Sequence, residues 1–169
     1  VLLISMGVVF YTNHLVQNST TETMLHNVEK RAVNLASLLD EWIVQNASHV
    51  QTAVDDFRPM NFLLDEKDSI AFMTEEGILI YSSNSNHSSA ENQTNTKEVR
   101  SILNGELIGT SGIVENKLGS REYRVAVPLH NGRGDQIGIL RITHTLDALD
   151  ELQATLTRSV FIFSFFSIV

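Results

Sequence analysis

Apolar residues between positions 25 and 42 fall at Leu25, Val28, Ala32, Leu35, Leu39 and Trp42, in steps of three and four that mark one face of a helix or a coiled-coil seam. Val33, Ala36, Leu38 and Ile43 add a second apolar flank. A helix apolar on two sides is expected to bury one against a sheet and the other against a further element such as a twin helix. It is expected to run from the start of the chain to about Phe57, because Arg58-Pro59 disfavours the α region before the proline.

The pattern then shortens. Ser69 to Thr74 and Ile78 to Ser82 flank Glu75-Glu76-Gly77 as a hairpin, and Ser83 to Asn95 reads as a polar loop. Asn95 or Thr96 caps a short helix with Glu98 in its first turn and Gly105 as its stop. Three strands follow, Ile108 to Val114, Arg121 to Leu129 and Gln136 to Thr145, joined at Asn116-Lys117-Leu118-Gly119 and Asn131-Gly132-Arg133-Gly134. A last helix begins with Asp147, Asp150 and Glu151 and continues through Leu149, Leu152, Leu156, Val160 and Phe163. This order predicts an α+β fold with a five-stranded antiparallel sheet.

The two ends change the picture. Val1 to Tyr11 and Ser159 to Val169 carry no charge, and every charged side chain lies between them. A membrane-spanning helix needs about 20 apolar residues, so each run reads as a truncated transmembrane helix, residues 1–11 and 159–169, flanking one domain at 12–158. No small-x-small cleavage site follows the first run, which favours an uncleaved anchor. The 12 Lys and Arg against 20 Asp and Glu give a net charge of −8, which argues against nucleic acid as a partner and suits the outer side of a bilayer. There is no cysteine, so disulfides and thiolate metal sites are excluded.

The stretches KEVRSILNGELIGTSG (97–112) and REYRVAVPLHNGRGDQIGILRITHTLDALDEL (121–152) resemble the extracytoplasmic PAS-like sensor domain, of PDC or Cache type, of bacterial two-component sensor histidine kinases, particularly the phosphate-response and cell-wall-regulating kinases of Gram-positive bacteria. The matching features are a helix ending in Leu103-Asn104-Gly105, the strand Tyr123 to Pro128, a turn at Asn131-Gly132, the strand Ile137 to Arg141, and leucines leading into a membrane span. The resemblance implies a multi-pass cell-membrane protein with its middle domain outside. It also implies a homodimer formed through the N-terminal helix, a small-molecule or protein signal, and a kinase beyond the second span that acts on a response regulator. The same module serves chemotaxis receptors and cyclic-dinucleotide enzymes, and a membrane-tethered scaffold that senses nothing is the remaining alternative.

Catalysis is not expected within these residues. None of the six histidines is followed by an acid, as a phosphoacceptor histidine would be, and no nucleophile turn is present. Gly132-x-Gly134 and Arg133-Gly134-Asp135 sit between two strands and read as a turn, while the sequons at Asn18, Asn46, Asn86 and Asn92 read as polar surface. Glu22 with His26 and His49 with Asp55 lack a third ligand, so neither metal nor cofactor is expected. Ligands of PAS-like domains bind between the sheet and its covering loop and helix, which makes Tyr81, Arg121, Tyr123 and Arg141 the ligand-binding candidates. Strand alternation sets Arg121 and Tyr123 on one face and Glu122 and Arg124 on the other. Arg141 shares a face with Ile137 and Ile139, where a guanidinium needs an anion, from an internal salt bridge or from a ligand.

Overall fold

The computed structural model describes residues 2–46, 67–83, 91–116, 118–147, 154, 155 and 158. The chain divides into two compact units, one of residues 1–27 and 146–169 and one of Val28–Thr145. The second contains the sheet. The extension of the first helix to Phe57, the centre of the polar loop, most of the last helix and the apolar run at 159–169 lie outside the described residues. Among the described residues no helix is long and apolar enough to cross a membrane.

Helix α1 spans Leu2–Asn46. Its buried stripe in the second unit is Val28, Ala32, Ala36, Leu39 and Ile43. Leu35 and Trp42 are only half-buried, and Val33 and Leu38 are exposed. The expected seam is therefore rotated toward Ala36 and Ile43. The buried stripe runs through Ala32 and Ala36 and leaves Trp42 at the margin. The second apolar flank dissolves: Ala36 and Ile43 belong to the buried stripe, while Leu38 is 62 % exposed.

Strands β1 (Asp68–Thr74) and β2 (Leu79–Ser82) form the first hairpin. Helix α2 (Lys97–Leu103) follows, then β3 (Gly109–Glu115), β4 (Arg121–His130) and β5 (Gln136–Thr145). The sheet is antiparallel in the order β2-β1-β5-β4-β3, the expected α+β, five-stranded architecture. Its middle strand, β5, is buried on both faces. Pro128 is accommodated in β4 because the β3 ladder reaches only to Ala126, leaving no partner in β3 for the missing N–H.

Cross-strand register sorts the side chains. Ile70 faces Ile142, Phe72 faces Leu140 and Val125 faces Ile142, so these line one face together with Tyr123 and His144. The other face carries Ala71, Met73, Ala126 and Ile139, which close a core with Leu79 of β2 and with Val99 and Ile102 of α2. Gly109 allows this closure, since a methyl group there would strike the carbonyl oxygen of Glu98.

The two long hairpins share one turn. Asn116 Oδ1 accepts hydrogen bonds from the amides of Leu118 and Ser120, and Asn131 Oδ1 from those of Arg133 and Asp135. The glycine three places on, Gly119 or Gly134, has φ of +85° or +84°. Substituting Leu39 by alanine is expected to cost about 2 to 5 kcal/mol in denaturant melts. Its neighbour Leu38→Ala should stay within about 0.5 kcal/mol. Equal losses would contradict the orientation of α1.

Candidate functional site

On the face covered by α2, Arg141 lies 4 % exposed in the middle of β5. Its Nη1 donates to Gln93 Oε1 at 2.9 Å and lies 3.6 Å from Glu98 Oε1. Glu98 is 1 % exposed. It reaches the sheet because positions 98 and 102 share a face of α2, so the carboxylate enters beside Ile102. Gln93 belongs to the end of the polar loop, which is fastened to β2 rather than free. The amide of Leu79 donates to Glu91 O and that of Gln93 to Gly77 O. The Thr96 hydroxyl donates to Gln93 O instead of capping α2, so the expected cap is absent and the hydroxyl shapes the loop.

Burial pushes the Arg141 guanidinium below its ordinary pKa, with Glu98 opposing most strongly. An arginine nevertheless stays charged under all ordinary conditions. Arg124, diagonal to it on the same face, donates from Nε and Nη2 to Glu122 Oε2 at 3.3 and 3.1 Å. Glu122 Oε1 in turn accepts from Asn116 Nδ2 at 2.5 Å. This face thus holds a row of charged groups above an apolar floor.

The opposite face is bound to α1 by polar contacts. Tyr123 Oη donates to Glu29 Oε1 at 2.6 Å. Asp68 takes Arg31 Nη1 on one oxygen and lies against His144 Nδ1 on the other, both at 2.5 Å. Asp40 Oδ1 accepts the amide of His130 at 2.8 Å. His144 is 2 % exposed, and its Nε2 has no hydrogen-bond partner among the described residues.

The four ligand candidates are therefore divided between the two faces. Arg141 alone lies under α2. Tyr123 and Arg121 alternate onto the α1 face, as the strand pattern predicts. Tyr81 pairs with Phe72, ring centroids 6.1 Å apart, and so lies on the face opposite Arg141 rather than closing the same region. A register break between Phe72 and Met73 sets Leu79 opposite Met73, separating it from Tyr81. Sequence reasoning did not single out Gln93, Asp68 or His144. Among the described residues no group of three or more His, Asp or Glu side chains is arranged to hold a metal ion.

No family model and no curated protein matches the chain. Solved structures do. The ligand-binding domain of the Pseudomonas aeruginosa amino-acid chemoreceptor PctC, in complex with GABA, aligns with a TM-score of 0.61 at 10 % identity, over 84 % of this chain and 62 % of that one. The periplasmic sensory domain of the Campylobacter jejuni chemoreceptor Tlp1 gives 0.54 at 12 %, over 79 % and 58 %. The extracellular domain vpHK1S-Z8, assigned to a histidine kinase, gives 0.56 at 15 %, over 87 % and 60 %. The chain spans about three fifths of each of these structures. It has the fold of the extracytoplasmic PAS-like sensor domains.

Burial first, then the hydrogen bond and charge of Glu29, raise the Tyr123 hydroxyl from 10.0 to about 12, with the Thr110 side chain opposing. The neutral phenol is thus favoured in the folded state. Its contribution to stability is complete below pH 10 and is lost as the pH rises toward 12. Tyrosinate absorbance should show one of the three tyrosines ionising late, and Tyr123→Phe should delete that step and flatten the stability profile between those pH values.

Proposed function

We propose that the chain is the extracytoplasmic sensor module of a two-component sensor histidine kinase. In this reading residues 1–11 and 159–169 belong to membrane-embedded helices, the protein is a homodimer through α1, and a kinase encoded downstream passes the signal to a response regulator. The observation that carries the proposal is the buried charge of Arg141 on one face of a PAS-like sheet whose other face is bound to the long helix by charged contacts. A signal that alters the pairing of Arg141 acts on β5, and β5 also carries His144, which is coupled to α1 through Asp68 and Arg31. The helix then acts as the element with two arrangements that an output domain reads.

A second reading keeps the module and changes the output to a chemotaxis receptor, favoured by the likeness to PctC and Tlp1. The coding sequence after Val169 decides between them. A HAMP segment followed by a histidine box supports the kinase, and a long methylated coiled coil supports the chemoreceptor. A stop codon soon after the second apolar run would sink both in favour of a scaffold. The topology has its own test. The chain has no cysteine and Leu118 is 82 % exposed, so in the intact protein Leu118→Cys should react with a membrane-impermeant thiol reagent on whole cells. Labelling only after lysis would contradict an extracytoplasmic domain.

A further inference from the structure

The buried ion pair under α2 is poorly made. At 3.6 Å, Arg141 Nη1 and Glu98 Oε1 stand beyond hydrogen-bond distance. Glu98 Oε1 and Arg141 Nε are both buried with no hydrogen-bond partner among the described residues. Arg124, on the same face, makes a forked contact with Glu122, so the strand geometry does not forbid a good pair. The cause lies in α2. Its backbone rests on Gly109 and its apolar residues Val99 and Ile102 are fully seated, so packing positions the helix and its carboxylate reaches Arg141 only part of the way. Gln93 occupies Nη1, while the Nε edge of the guanidinium lacks the planar two-point contact a carboxylate makes best.

Resting on the sensor reading above, we propose that Glu98 is an internal stand-in that occupies Arg141 until a small monocarboxylate displaces it. The ligand takes the Nε edge of Arg141, Glu98 turns to solvent, and α2 loses its charged tie to β5. The charges acting on Arg141 are Glu98, Arg124, Glu122 and Glu91. With Glu98 gone, the two arginines balance Glu122 and Glu91, so a ligand of single negative charge restores the balance that Glu98 kept. A displaced internal carboxylate also makes occupancy switch-like, since ligand and α2 compete for one cation.

The test uses the 169-residue chain in detergent. Acetate, propionate and butyrate serve as probes, with acetamide and butyramide as uncharged controls, in calorimetric titrations at pH 7. Glu98→Gln should bind a carboxylate at least tenfold more tightly than wild type, the amides should bind neither, and Arg141→Met should abolish binding in both backgrounds. In the wild type, saturation should speed hydrogen exchange of the Ile102 and Leu103 amides. Equal affinity in wild type and Glu98→Gln, or binding that survives Arg141→Met, overturns the stand-in while leaving the sensor reading in place. Failure of every carboxylate to bind wild type overturns it too. If Glu98→Gln does not fold, the wild-type exchange measurement decides, because slower exchange in α2 means that the ligand adds to the pair instead of replacing it. The sensor reading fails separately, on a coding sequence without an output domain.

Discussion

Strand β5 is buried on both faces, and nearly everything of functional interest hangs on that constraint. A strand presents successive side chains to opposite sides, so Leu140, Ile142 and His144 face α1 while Ile139 and Arg141 face α2. The backbone between them is hydrogen-bonded to β1 and β4 along its length and has little freedom to deform. A tilt or slide that suits one face is imposed on the other. The charge under α2 and the polar contacts of α1 are thus two ends of one stiff piece, coupled without any chain of intermediates.

The strands were legible because each satisfies a local rule. Alternation located β5 to the residue, and the repeated Asn-x-x-Gly marked both long hairpins, since an asparagine that accepts two amides and a glycine with positive φ are local requirements. The seam of α1 was less legible: a three-four pattern names several adjoining stripes, and the one that is buried carries alanines at 32 and 36. Tyr81 was misplaced for a similar reason. Plain alternation keeps it beside Leu79, and only the register break in the hairpin parts them.

The site was half legible. Arg141 stood out as a charge among isoleucines, which is a local anomaly. Its partners did not stand out, because Gln93 and Glu98 are chosen by how α2 folds back over the sheet. A faint signal for Glu98 existed in its spacing from Ile102, which gives it the buried face of a seven-residue helix. The contacts of α1 left no such trace: Asp68 and His144 are ordinary polar residues until β1 and β5 pair and bring them together. At 10 to 15 % identity, the likeness to the sensor domains is one of backbone and carries no side-chain chemistry over to this chain.

The outer strands carry a consequence of a different kind. β2 is only four residues long with a break in its register, and β3 is interrupted between Thr110 and Ile113, around Gly112 with φ of +70°. Neither edge offers the long flat row of unpaired amides and carbonyls on which a further strand could build. Crowded copies of this domain therefore meet without templating one another into a continuous ribbon. At high local density the domain gains solubility from two small irregularities at the rim of its sheet.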